Sequence, residues 1–439
     1  MGVVSEEEME KINTYFLEAL KNSLNGESVA WTTEDISFEE FSQLYQISNI
    51  HNVLAMIFEA TFSCEVAKQM PPEFMMMVRR NVIQSIAHQT MKSSEFQGLS
   101  DQLRDNDIKP CVVKGIICRN LYRNPDSRVS GDEDVFIPEE QFGISHKVLT
   151  DFGMTLMEPE QDVEAIYEVP YVKPGSPLYI ELHKHMFPPE SEAYGNLNRF
   201  FDGIHNRTEK THKGECGLIE EEINGTKFLT MNHTDHLLYL ILHSFKHFLH
   251  SGFGIRQVCD INLYATEYGS DIDWEYILSC LQDVRADLFA ASMFVIGEKY
   301  LTFDPEKACY PGCWKSIEVD ETAMLDDLLA SGVFGQSDMS RKHSSNITLN
   351  AMIADKRGEK ASTGKIQAAI KAVCLPVDKM SDRFTYLKKM PFLLPIAWVQ
   401  RVWIYKKETA GNQEGNNAAD SIKIGNERVE LMRKYGIIK

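Results

Sequence analysis

The chain is short of positive charge. Lys and Arg number 45 against 64 Asp and Glu, a formal net charge of −19. A chain this acidic is expected to be a poor general binder of duplex nucleic acid, because phosphate neutralisation needs a basic surface. A local basic cleft for one small polyphosphate stays compatible with it. Long apolar runs are also missing. The most apolar aromatic stretch, Phe392–Trp403, is interrupted by Pro395 and is too short to span a bilayer. Flanked by Lys388, Lys389, Lys406 and Lys407, it reads as an interfacial contact or as a helix packed on the rest of the protein, and the second is the expectation. No Cys-x-x-Cys pair occurs. Nine scattered cysteines, with Cys309 and Cys313 the closest pair and no nearby His, give no zinc pattern and suit reduced thiols in the cytoplasm. The acidic N-terminus has neither the form of a signal peptide nor that of a transit peptide. Internal repeats are absent. Gly358–Lys365 fails as a P-loop: five residues separate the glycines, Ile366 stands where Ser or Thr is needed, and no apolar strand precedes it.

What is present is an ordinary globular composition, 43% hydrophobic and 25% charged, over 439 residues, enough for two or three domains. Residues 1–105 read as helical. Ser5 and Glu8 have the form of a capping box, followed by Met9, Ile12, Tyr15, Phe16, Ala19 and Leu20 at helical spacing until Asn25-Gly26 breaks the run. Further helices are expected over 35–60 and over 71–105, the latter opening at Pro71-Pro72. Strands are expected at Ile108–Val113, at Val135–Ile137 continuing from the acidic residues before it, at Ala165–Val172 and at Leu178–Lys184. A short helix is expected around Ile116–Tyr122 and another over Pro138–Phe152. From Thr234 onward the pattern is again mainly helical, with a loose polar loop at Glu408–Asp420. The expected fold class is α+β, a mixed sheet flanked by helical N- and C-terminal regions, divided at 1–105, 106–230 and 231–439.

The chemistry concentrates in Gly131-Asp132-Glu133-Asp134-Val135-Phe136-Ile137. On a strand, side chains alternate faces, so Asp132 and Asp134 project the same way, about 7 Å apart along the chain. In Tyr179–His185, Glu181, His183 and His185 share one face and Ile180 and Leu182 the other. If the two strands are neighbours, Glu181 becomes a third carboxylate. Hard oxygen ligands of this kind suit Mg²⁺ (or Mn²⁺) held against substrate phosphates. Upstream, Lys114-Gly115 ends a strand and opens a helix. Glycine permits close backbone approach, the helix N-terminus offers free N–H groups, and Lys114 offers a point charge. Arg128 has the fork to bind phosphate oxygens, with a surface position or pairing to Asp126 as the alternatives.

The order strand, Lys114-Gly115, short helix, Arg128-x-x-Gly131-Asp132-x-Asp134 and Ile180-Glu181-Leu182-His183 resembles the uncharacterised nucleotidyltransferase family, within the DNA polymerase β-like nucleotidyltransferase superfamily. His243-x-x-Lys246-His247 and Gly252–Asp260 extend the likeness over about 105–265. The resemblance implies a nucleotidyltransferase-like sheet over 106–230. It also implies transfer of a nucleoside monophosphate from an NTP, with Asp132 and Asp134 as metal ligands and Glu181 as third acid. Ile116 after Gly115 departs from the superfamily's small residue, and Glu181 departs from its commoner Asp.

His236, His243, His247 and His250 share one helical face. A metal site is one reading. The preferred one is a cleft wall that brings His243, Lys246 and His247 against phosphate or acceptor. Arg256 either reaches the triphosphate or pairs with Asp260. The expected activity is Mg²⁺-dependent nucleotidyl transfer to an unidentified acceptor, a small molecule or a protein side chain. The alternative is a catalytically silent nucleotide-binding or regulatory module, against which the intact carboxylates argue.

Overall fold

A computed structural model describes residues 6–332, 339–358, 377–380, 384–388, 390–409 and 418–439. Five helices precede the sheet: α1 (Glu6–Asn25), α2 (Phe38–Ile50), α3 (Leu54–Thr61), α4 (Glu65–Gln69) and the 34-residue α5 (Pro72–Asp105). Gly26, at φ +71°, stops α1 where Asn25-Gly26 was expected to. The helices expected over 35–60 are α2 and α3, and Asn52 at φ +57° turns the chain between them. A reciprocal capping box starts α2, with Ser37 and Glu40 as partners. The one expected at Ser5 lies outside the described residues.

Seven strands follow: β1 (Cys111–Val113), β2 (Glu133–Phe136), β3 (Thr155–Leu156), β4 (Glu168–Val172), β5 (Tyr179–His183), β6 (Leu218–Ile223) and β7 (Thr226–Met231). They form one mixed sheet in the order β3-β4-β5-β2-β1-β7-β6. β1 is shorter than expected, since Pro110 brings no N–H to a ladder. Between β1 and β2 runs the short α6 (Gly115–Arg119), and α7 (Phe142–Asp151) follows β2 after a 3₁₀ turn at Glu139–Gln141. The β6–β7 hairpin turns at Asn224 and Gly225, both at positive φ, the pairing that a two-residue hairpin loop selects.

Two pairings fix the centre. β2 runs parallel to β5 with Asp134 opposite Glu181, and antiparallel to β1 with Val113 opposite Asp134. β4 closes on the other side of β5, placing Glu168 opposite His183. One face of this sheet packs on α5, where Phe96 stacks on Phe228 at 5.8 Å. The other is covered by α8 (His233–His250), which starts directly after β7 and is capped by the Asn232 side chain accepting from the Asp235 N–H. Then come α9 (Ile255–Tyr268), α10 (Trp274–Asp283), α11 (Asp287–Tyr300), α12 (Gly312–Lys315), α13 (Thr322–Ser331), α14 (Met339–Lys356) and a C-terminal helix Ala418–Lys434. Among the described residues the main apolar core runs from Phe16 to Ile438 through sheet and helices. The fold is therefore α+β, with helical regions on both sides of the sheet.

The Phe392–Trp403 stretch begins in a 3₁₀ turn and continues in a helix, Leu394–Thr409. Among the described residues it joins, through Ala397, a small cluster with Met380, Phe384 and Leu387 that is separate from the main core, while Phe392, Ile396 and Val399 are exposed. No helix of the described residues is long and apolar enough to cross a membrane. Of the Gly358–Lys365 segment only Gly358 is described, and residues 410–417 of the expected polar loop lie outside the described residues.

Candidate functional site

Strand alternation sends Glu133 and Asp134 to opposite faces, and the two acids do different work. Asp134 faces α8. Its Oδ2 meets the Lys114 ammonium at 2.9 Å and its Oδ1 lies 3.1 Å from His183 Nε2. Burial opposes a charge on Asp134, but Lys114 and His183 outweigh it and hold the carboxyl well below the usual range. Burial likewise opposes the Lys114 charge, and Asp134 overrides it, so the ammonium is held above its ordinary value. Next to Asp134, Glu181 has its carboxyl pushed up to about 8 by burial and by the negative charges of Asp134, Asp132 and Glu168. His183 is raised: burial lowers it, but Asp134, Glu168 and Glu181 around the ring prevail.

Asp134, Glu181 and His183 each bring one ligand atom to within 4.8 Å of the others. Asp132, expected beside Asp134 as a metal ligand, is not part of that trio. It is half-buried just before β2, close enough to Glu181 to raise it, and has no hydrogen-bond or ion-pair partner among the described residues. Gly131 is exposed, and a Cβ there would meet open space.

Glu133 faces the other way and is fully buried. Its Oε1 takes the Arg119 guanidinium at 2.6 Å and the Lys92 ammonium at 3.4 Å, and its Oε2 accepts the Ile116 N–H at 3.0 Å. Gly115 carries a packing duty besides the expected one. A Cβ at Gly115 would stand 1.9 Å from Glu133 Oε2, and the residue sits at φ +29°. Glycine is required there to admit Glu133, and the N–H next to it is spent on the same carboxylate rather than offered to a phosphate.

Arg128 also departs from expectation. Its guanidinium is buried and forked onto Asp260, with Nε donating to Oδ1 at 3.0 Å and Nη2 to Oδ2, while Tyr122 donates to the same carboxylate at 2.7 Å. It is neither on the surface nor paired to Asp126, and its donors are not directed at the Asp134 cluster. Because Asp260 is taken, Arg256 does not pair with it either. Arg256 Nη1 donates to the Val129 carbonyl, its buried Nε has no partner among the described residues, and burial followed by the nearby Arg128 brings it down to about 10.

The histidine face of α8 does meet the sheet. His236 Nε2 accepts the Lys114 backbone N–H at 3.2 Å, burial having lowered the ring to about 3. Lys114 Nζ donates to His243 Nε2 at 3.0 Å, and His247 Nε2 lies 3.2 Å from the same nitrogen. Burial, then Lys114, keeps His243 far below its ordinary value, so it is a neutral acceptor. His250 bonds Tyr194 Oη at 2.6 Å and stands apart from the acids. Lys246 is half-buried, lowered by burial and then pulled both ways by Glu168 and Lys114, and has no hydrogen-bond or ion-pair partner among the described residues. The face thus forms a polar wall around Lys114. Two residues of the site were not singled out from the sequence: His183, which the alternation did place beside Glu181, and Glu168, which only the β4–β5 register brings opposite it.

These features coincide with a match along the chain. The chain belongs to the uncharacterised nucleotidyltransferase family, whose model covers residues 38–302. No curated protein and no solved structure gives a significant match. The matched region takes in the whole sheet, α5 beneath it and α8 above it, and so contains every residue of the site.

Proposed function

We propose that this nucleotidyltransferase-family chain moves a nucleoside monophosphate from an NTP to an acceptor hydroxyl, the new bond forming at the α-phosphorus as its bond to the β-phosphate breaks and pyrophosphate leaves, with the acids of β2 and β5 as its centre. The observation that carries the reading is the register of Asp134 opposite Glu181, with Lys114 and the unpartnered Lys246 on the same face. The family implies a divalent cation, and the donor set fits one: two carboxylates and an imidazole with ligand atoms within 4.8 Å. When bound, such an ion neutralises charge on the reacting phosphates. Asp134 and Glu181 would hold it. Lys246, whose ammonium lacks a local counter-charge in contact, would take a phosphate oxygen. Lys114 is anchored by Asp134 and His243 and keeps the strand end positively charged. Asp132, unpartnered at the open head of β2, would receive the acceptor hydroxyl's proton.

The test is transfer from α-labelled NTPs, each supplied singly with Mg²⁺ or Mn²⁺, to the components of a cell extract and to the protein itself. The Asp132→Ala/Asp134→Ala double variant runs in parallel. Label in a product formed only by the unaltered chain supports the reading and gives the size class of the acceptor. NTP binding without label transfer from any nucleotide would sink it in favour of a binding module.

A further inference from the structure

We infer that the centre of the sheet is a mixed nitrogen–oxygen metal site, Asp134–Glu181–His183 with Glu168 orienting the imidazole, and that it takes a first-row transition cation such as Mn²⁺ in preference to Mg²⁺. The inference deepens the nucleotidyl-transfer reading and shares Asp134 and Glu181 with it.

The His183 ring is the observation that points to it. The side chain is 4% exposed, and its Nε2 is aimed between the two carboxylates, 3.1 Å from Asp134 Oδ1 and 3.7 Å from Glu181 Oε2. Its other nitrogen, Nδ1, is buried and has no hydrogen bond, an arrangement that costs free energy in a purely structural histidine. The nearest acid to Nδ1 is Glu168 Oε2 at 3.7 Å, on the neighbouring strand directly opposite. A metal-ligating histidine commonly donates its second ring N–H to a carboxylate, which fixes the tautomer and strengthens the ligand. Here the acid stands on the correct side, one small ring adjustment away from a hydrogen bond. Asp134 is already divided between two tasks: Oδ2 is held by Lys114, and Oδ1 is turned to the cluster. The ammonium therefore does not displace a cation from Oδ1.

Donor chemistry gives the selectivity. Mg²⁺ favours an all-oxygen octahedron and keeps its waters, whereas imidazole suits first-row transition ions such as Zn²⁺, Fe²⁺ and Ni²⁺; Mn²⁺ shares the carboxylate preference of Mg²⁺ and binds most weakly of that series, so the His183 nitrogen alone has to separate the two ions. Ligation needs a neutral Nε2, so the incoming cation replaces the proton that His183 shares with Asp134.

The experiment is a titration of the full chain with MnCl₂ without nucleotide, followed by calorimetry and by pulsed electron paramagnetic resonance, with MgCl₂ as competitor. Expected is a ¹⁴N coupling from one imidazole and Mn²⁺ binding at least about tenfold tighter than Mg²⁺. His183→Gln should abolish the coupling and shrink that preference. Glu168→Gln should weaken Mn²⁺ binding about tenfold to a hundredfold while the coupling persists. Bound Mn²⁺ without ¹⁴N coupling in the unaltered chain, or equal affinity for the two ions, overturns the proposal, and neither readout depends on a variant folding. An unchanged Mn²⁺ affinity in Glu168→Gln overturns the role given to Glu168. Nitrogen coupling without label transfer would retain this site and reject the transfer reading; transfer with Mg²⁺ and no coupling would do the reverse.

Discussion

Lys114 and Asp134 hold each other charged across the β1–β2 pair. The ammonium and Oδ2 are 2.9 Å apart, and both groups are shifted toward their ionised forms against the cost of burial. Lys114 is fixed from three sides, since its backbone N–H goes to His236 and its ammonium also reaches His243. Removing the ammonium strands a buried carboxylate, which costs about 3–5 kcal/mol where no other cation replaces it. His183 remains beside Asp134, so Lys114→Met is expected at the low end, about 3 kcal/mol by urea unfolding. Nucleotidyl transfer should fall by about a hundredfold or more, a loss of the order that preorganised charge supplies. Activity within threefold of the unaltered chain would remove Lys114 from the site.

Gly115 and Glu133 form a second coupled pair, this one structural. Gly115→Ala places a methyl 1.9 Å from Glu133 Oε2 at a backbone angle that disfavours side chains, so roughly 1–3 kcal/mol of stability should be lost. Glu133→Ala leaves Arg119 and Lys92 without their acid and should cost about 3–5 kcal/mol. The double variant should lose less than the sum, because the clash disappears with the carboxylate. Strict additivity in chemical denaturation would show that Glu133 is not what demands glycine.

The two acids of this motif also mark how far the sequence could be read. Period-two alternation put Asp134, Glu181 and His183 on one side of their strands, and the strands proved to be neighbours in register. The same rule sends Glu133 to the far side, but its partners lie on α5 and α6, and nothing local to Glu133 names them. Arg128 and Asp260 are 132 residues apart in the chain, so the fork that absorbs Arg128 follows only from packing α9 against the loop before β2. The expected strands leave out β6 and β7, although Asn224-Gly225 is the turn dipeptide of a two-residue hairpin. Glu220, Glu221 and Glu222 hid the strand before it, three successive acids having no alternation to read. Glu168 became visible as a site residue only through its cross-strand position opposite His183.

Arg128 is expected to behave as a structural residue. Arg128→Met leaves Asp260 buried with only the Tyr122 hydroxyl, and should cost about 3–5 kcal/mol. Adding Asp260→Leu should recover part of that loss, since an apolar pair of similar volume is often tolerated where an unpaired charge is not. At a temperature where the double variant is folded, its KM for the NTP should stay within about threefold of the unaltered chain. A tenfold or larger rise in KM there would mean that Arg128 does contact the phosphates.

His51 gives the protein an acid-sensitive joint between the end of α2 and α13. The ring is buried against Phe16, its Nε2 donates to the Leu329 carbonyl at 3.1 Å, and its Nδ1 has no partner among the described residues. Burial pushes it down to about 4. The folded state thus binds fewer protons than the unfolded state wherever an exposed histidine would be charged. Its contribution is complete above pH 6.5 and is lost as pH falls toward 4, reaching roughly 2 kcal/mol of destabilisation by pH 5. His236, His243 and His247 act in the same direction, while the raised His183, His233 and Glu181 act against them, so the contribution of His51 is read from the difference its own variant makes. His51→Gln should therefore lower the dependence of unfolding free energy on pH between 7 and 5 by about 0.7 of a proton on average, whatever it does to stability at pH 7. Urea unfolding at several pH values measures that slope directly, and an unaltered slope would place the protonation-linked loss elsewhere in the chain.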